Sequence, residues 1–197
     1  MTDRFRVTLA QLNPTVGDLK GNAAKARAAW EEGKAAGADL VALPEMFITG
    51  YQAQDLIVKP AFVAAAKAEI EQLAAACADG PALCIGGPYV GEDLKLHNSY
   101  FTLQNGEIVS VVHKYFLPNF NVFDEVRLFS RDMMQGPVAV NGVRIGLPVC
   151  EDAWYPDVVE ALEVTGAGFF LVPNQSPYFR EQFATRLNHM VSRVLEA

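Results

Sequence analysis

From Gly37 to Glu45 the chain reads Gly-Ala-Asp-Leu-Val-Ala-Leu-Pro-Glu, and 129 residues later, from Gly166 to Asn174, it reads Gly-Ala-Gly-Phe-Phe-Leu-Val-Pro-Asn. Each segment is a helix stop, a run of four apolar residues, then proline and a polar residue. A short apolar run with no polar alternation is the mark of a strand covered on both faces, as in sheets flanked by helices. Used twice, the unit implies two similar halves packed as two sheets with helices outside.

The rest of the pattern agrees. Val7–Leu12 reads as a strand, and Asn22–Ala36 as an Ala-rich helix that carries Trp30 on its buried stripe and stops at Gly37. Pro60 opens a second helix, to about Cys77, followed by a strand Ala82–Ile85 and a turn at Gly86-Gly87-Pro88. Asn105-Gly106 and Asn141-Gly142 predict hairpins, pairing Ser99–Leu103 with Ile108–His113 and Val138–Val140 with Val143–Val149. A helix near Pro156–Thr165, a strand Phe169–Val172 and a helix over about Arg180–Leu195 complete the reading.

With 197 residues, 51% hydrophobic and 20% charged, the chain has the apolar content for one large core, and no low-complexity linker divides it, so 1–197 is expected to be a single domain. A formal net charge of -7 argues against a phosphate-binding surface and against nucleic acid as a partner. No stretch approaches the roughly 18 consecutive apolar residues of a membrane helix, so no membrane partner is expected. Met1–Arg6 lacks the pattern of a signal peptide, and Cys77, Cys84 and Cys150 show no paired spacing, which together suit a cytoplasmic, reducing setting.

Glu45, Lys114 and Cys150 each follow an apolar strand. Strand C-termini are where sheets with helical connections gather reactive groups from distant parts of a chain. The three are chemically complete for amide hydrolysis: a thiolate to attack the carbonyl, a carboxylate to move protons and an ammonium to hold the oxyanion. Lys114 near Cys150 is expected to favour the thiolate, and the N–H groups of Glu151 and Asp152 to complete an oxyanion hole. Cys77, in an Ala-rich helix, and Cys84, in an apolar strand, read as core residues.

The neighbouring residues narrow the reading. Pro44–Tyr51 (Pro-Glu-Met-Phe-Ile-Thr-Gly-Tyr), Lys114–Glu125 (Lys-Tyr-Phe-Leu-Pro-Asn-Phe-Asn-Val-Phe-Asp-Glu) and Pro148–Trp154 (Pro-Val-Cys-Glu-Asp-Ala-Trp) occur in that order. Together they resemble the carbon–nitrogen hydrolase (nitrilase) superfamily. Asn174-Gln175-Ser176-Pro177-Tyr178 adds a likeness to the glutaminase domains of glutamine-dependent NAD synthetases, and the likeness runs from about Val7 onward. It implies an α/β fold, a nitrilase-like α-β-β-α sandwich of two mixed sheets flanked by helices, here truncated at the C-terminus. It further implies Glu45 as general base, Lys114 as oxyanion stabiliser, Cys150 as nucleophile and Glu125 as a second glutamate that holds the lysine and a water.

Substrate contacts carried over in the same way are Tyr51 and Trp154 as pocket walls, and Glu151 and Ser176 for the α-amino and α-carboxylate groups of glutamine. Phe120 stands where the closest relatives commonly have tyrosine. Phe179-Arg180-Glu181-Gln182 lacks their Gly-Lys pair, so Arg180 and Arg186 both stand as candidates for the carboxylate. The resemblance implies a C-terminal synthetase domain as partner, with ATP and Mg acting there and no cofactor in this chain. A homo-oligomer is expected.

Other chemistries find no footing: there is no G-x-S-x-G segment, no phosphate-binding G-x-x-x-x-G-K loop, and His97, His113 and His189 lack zinc-site spacing. Two alternatives stay open: a free-standing amidase of the same superfamily acting on another small amide, and a non-catalytic, truncated interaction module.

Overall fold

The first Ala-rich segment forms α1 (Leu19–Ala35), begun by Asp18, whose side chain accepts the Gly21 N–H at 3.0 Å. The cap starts the helix three residues before the predicted Asn22. It is preceded by β1 (Val7–Leu9) and followed by β2 (Leu40–Ala42) and α2 (Pro60–Ala76), which has proline in its first turn. The structure, a computed structural model, describes residues 4–196. Met1–Asp3, read above as part of an N-terminus without a leader, and Ala197 lie outside the described residues.

Three longer strands follow, β3 (Ala82–Val90), β4 (Leu96–Gln104) and β5 (Glu107–His113). They make a five-stranded sheet in the order β1-β2-β3-β4-β5, parallel from β1 to β3 and antiparallel from β3 to β5. After the short α3 (Glu125–Leu128) come β6 (Val138–Val140), β7 (Val143–Gly146), α4 (Pro156–Val164), β8 (Phe169–Phe170) and α5 (Gln182–Glu196). The second sheet, β6-β7-β8, is also mixed. Both predicted Asn-Gly turns are present, with φ of 54° and 88° at Asn105 and Gly106, and 50° and 81° at Asn141 and Gly142.

The alternation along β2 explains the layers. Val41 and Leu43 join Trp30, Ala66, Ile70 and Leu73 in a core between the first sheet and its helices. Leu40 and Ala42 point the other way, into a second core with Val140, Ile145, Val149 and Leu171. Trp30 is buried without an orphaned donor because its Nε1 donates to the Pro81 carbonyl at 2.8 Å. α4 packs on β7 and α5 on α4, giving the order helix, sheet, sheet, helix.

One expectation fails instructively. Gly86-Gly87-Pro88 is not a turn, because β3 runs through it to Val90 and pairs Pro88 with Asn98. Pairing with β2 ends at Cys84, so Pro88 lies where β3 has a free flank, and proline is tolerated there. Gly86 serves close approach: a Cβ there would lie 2.2 Å from the Met46 nitrogen. Strands β1, β7 and β8 are shorter than the apolar runs predicted.

Candidate active site

The loop after β2 turns sharply, with Met46 at φ 49°, and the Ile48 N–H donates to the Gly86 carbonyl at 3.0 Å. This holds Glu45, 1% exposed, over the first sheet. Lys114 follows β5 and is fully buried; its Nζ lies 2.8 Å from Glu45 Oε1 and 2.9 Å from Glu125 Oε2. Burial opposes the charge on Lys114, but Glu45, Cys150, Glu125 and Tyr51 outweigh it and hold the ammonium well above its ordinary range. The Glu125 carboxyl is raised, by burial first and by Glu45 next, while Lys114 pulls it down.

Cys150 sits at φ 53°, in the left-handed region that disfavours a side chain, and its N–H donates to the Pro173 carbonyl at 2.9 Å. The nucleophile candidate is thus mounted on a tight turn tied to the chain just after β8. Burial and the negative charge of Glu45 push its thiol above the ordinary range, and Lys114 offsets this only in part. The expected thiolate is therefore a neutral thiol until a base takes its proton, because desolvation outweighs one ammonium shared by two carboxylates. Both Glu45 and Lys114 act on the thiol, so the fold brings together the trio that the strand ends predicted.

Two side chains that sequence reasoning passed over hold this arrangement. Asp152 Oδ1 accepts the Phe116 N–H at 2.7 Å and the Tyr115 N–H at 3.1 Å, while its Oδ2 accepts the Val149 N–H at 3.0 Å. It ties the chain beyond Lys114 to the cysteine turn. Burial pushes its carboxyl up to about 7 against the pull of those donors and of Lys114. Its own N–H is spent on the Val149 carbonyl at 3.1 Å, so of the two amides expected for an oxyanion only that of Glu151 is left. Asn98, on β4, donates from Nδ2 to Glu45 Oε1 at 2.8 Å and to Glu125 Oε1 at 3.2 Å. The turn expected at Gly86–Pro88 hides it, since the predicted strand begins only at Ser99, whereas β4 begins at Leu96 and pairs Asn98 with Pro88. Asp152, within the quoted motif, had no signal separating a structural from a solvated carboxylate.

A cavity of about 320 Å³ opens beside Cys150 and is lined by Phe120, Glu151, Trp154 and Ser176 among others. Glu151 is held above its ordinary range by burial first. Ser176 Oγ donates to Asn174 Oδ1 at 2.7 Å, and the Trp154 ring stacks on His189 of α5 with centroids 4.5 Å apart. Arg186 lines an adjoining groove that shares Ser176, whereas Arg180 is exposed and lines neither space. Tyr51 stands elsewhere: its hydroxyl donates to Glu125 Oε1 at 2.7 Å, and it lines a smaller cavity with Asp124 and Phe129. Among the described residues no group of three or more His, Cys, Asp or Glu side chains is placed to hold a metal ion.

Comparison with known proteins places the chain and its fold. The carbon–nitrogen hydrolase family pattern matches residues 6–193. A glutamine-dependent NAD(+) synthetase of Rhodobacter capsulatus is 55% identical over 196 residues, all of this chain but 35% of its own length; that of Aquifex aeolicus is 33% identical over 96% of this chain and 33% of its own. This chain thus spans about a third of the curated relatives that it matches. The structure of the glutamine-dependent NAD+ synthetase from Acinetobacter baumannii in complex with ADP superposes with a TM-score of 0.84 at 30% identity, covering 92% of this chain and 34% of that one. An amidase from Nesterenkonia sp. shares the fold, with a TM-score of 0.76 at 23% identity over 91% of this chain and 68% of its own. The chain belongs to the carbon–nitrogen hydrolase family.

Proposed function

We propose that residues 1–197 are a glutaminase domain that releases ammonia from the side chain of glutamine through a Cys150 thioester. The observation that carries the reading is the division of labour within Glu45: Oε1 is engaged by Lys114 and Asn98, while Oε2 is buried without a partner. A buried, unpartnered carboxylate oxygen is a proton acceptor in waiting. It takes the proton of the Cys150 thiol as Sγ attacks the carboxamide carbon. Lys114 Nζ and the Glu151 N–H hold the oxyanion. Glu45 then returns the proton to the departing nitrogen, the C–N bond breaks and ammonia leaves. Water, deprotonated by the same carboxylate, opens the thioester to glutamate and the free thiol. Glu125 orients Lys114 and helps place that water.

The cavity supports glutamine over a neutral amide. Glu151 supplies an acidic group for an α-amino cation and Ser176 a hydroxyl for the carboxylate; Trp154 and Phe120 supply walls. Arg186, next to Ser176, is the better placed arginine for that carboxylate, and Arg180 is the weaker candidate. Tyr51 acts on the pocket through Glu125. By analogy with the longer relatives, the ammonia is consumed by a synthetase domain that amidates deamido-NAD, and ATP and Mg belong to that domain. Three free cysteines favour a reducing, cytoplasmic setting, and a homo-oligomer is part of the proposal, testable by light scattering.

The test is mass spectrometry after treatment with a diazoketone analogue of glutamine. Selective labelling of Cys150, suppressed by excess glutamine, is expected; equal labelling of Cys77, Cys84 and Cys150, or none, would sink the assignment. In a longer protein that carries the synthetase domain, Cys150→Ala is expected to abolish glutamine-driven but not ammonia-driven synthesis.

A further inference from the structure

Two carboxylates share one ammonium at the buried centre of this site, and a single lysine does not determine which oxygen of Glu45 it engages. Asn98 is fully buried and meets every member of that group. Its Nδ2 spans Glu45 Oε1 and Glu125 Oε1, at 2.8 Å and 3.2 Å, and its backbone carbonyl accepts the Lys114 N–H at 2.8 Å. A side-chain amide provides two N–H donors on one nitrogen without adding charge. An ammonium here would overcompensate the carboxylates, and a third carboxylate would repel them.

We propose that Asn98 is a positioning residue for the base: its amide clamps Glu45 through Oε1, leaves Oε2 as the proton acceptor for Cys150, and offsets the repulsion between Glu45 and Glu125. The inference rests on the reading of Glu45 as the base. Because the carbonyl of the same residue holds the Lys114 backbone, β4 sets the base and the oxyanion stabiliser in one frame.

The experiment follows the rate at which iodoacetamide alkylates Cys150, located by mass spectrometry, against pH. This readout needs no assumption about the amide substrate. Wild type is expected to show an acid limb that Glu45→Gln abolishes. In Asn98→Ala the rate near neutrality should fall about tenfold and the limb move about one unit to higher pH, since lost donors make the carboxylates hold their protons more tightly. Asn98→Asp, which preserves volume, should move it at least as far. Glutamine turnover in the same variants should lose kcat with KM nearly unchanged. A limb unmoved in Asn98→Asp, with circular dichroism showing it folded, would overturn the proposal. So would a uniform loss of rate with no displacement, the signature of a packing role. If Glu45→Gln keeps the wild-type limb, the base assignment itself is wrong and the role of Asn98 falls with it.

Discussion

Strands β2 and β8 leave their helices through nearly the same residues, yet β2 lies between two parallel neighbours and is buried along its whole length, while β8 pairs only with β7 and is half-buried. Glu45, at the end of the first unit, is buried against Lys114 and Asn98. Asn174, its counterpart, is half-buried and accepts a bond from Ser176. Equal local text sets an equal helix stop, with Gly37 and Gly166 at φ of 70° and 89°, and neighbours in space decide what the residue after the proline becomes. A carboxylate in a dry, paired environment is a proton carrier, whereas an amide near the mouth of a cavity shapes a wall.

That contrast can be broken most sharply at the two polar residues. Glu45→Gln is expected to lower glutamine hydrolysis by about a thousandfold, the scale of losing a general base, while Asn174→Ala should cost less than about tenfold. Steady-state ammonia release measures both, and equal losses would mean that the units are functionally alike.

The glycines test the backbone. Gly86→Ala forces a Cβ to within 2.2 Å of the Met46 nitrogen and should destabilise by about 3 kcal/mol. Gly168→Ala, whose Cβ would lie 3.4 Å from the Arg144 carbonyl, should cost under about 1 kcal/mol. Urea midpoints report the difference, and a tolerant Gly86 would deny the close approach that seats the Glu45 loop on β3. Among the strand residues, Leu40→Ala should cost about 3 kcal/mol and Phe170→Ala about 1–2 kcal/mol, because only the first is wholly enclosed.

The smallest expected effect concerns pH. His113, on β5, stacks on His97 with centroids 4.5 Å apart, and burial first, then that neighbour, hold it below its ordinary value. Below about 6.5 the unfolded chain takes up the proton more readily, so stability is present above that pH and lost as pH falls. β6 to β8 contain no histidine. His113→Gln should flatten the acid side of thermal stability; an unchanged slope would place the titration elsewhere.

Much of this was legible in the chain itself. Asn105-Gly106 and Asn141-Gly142 determine their turns because positive φ is a local requirement that few residues meet. Pro60 and Gly37 bound helices for equally local reasons. The apolar run before Pro44 announces a covered strand, and the residue types at three strand ends announce amide chemistry. Gly86–Pro88 misled because a local turn signal was overridden by tertiary circumstances: Met46 needs a neighbour without a Cβ, and β3 is free of β2 at Pro88.

Asn98 and Asp152 could not be singled out, since a polar residue in a strand or a turn has no pattern that distinguishes a buried clamp from a wet surface. Their importance comes from partners 53 and 36 residues away, Glu45 and Phe116. The protonation of Cys150 belongs to the same class. Sequence names the groups that titrate; only packing sets how far each lies from water and from the next charge, and those two quantities decide where the proton resides.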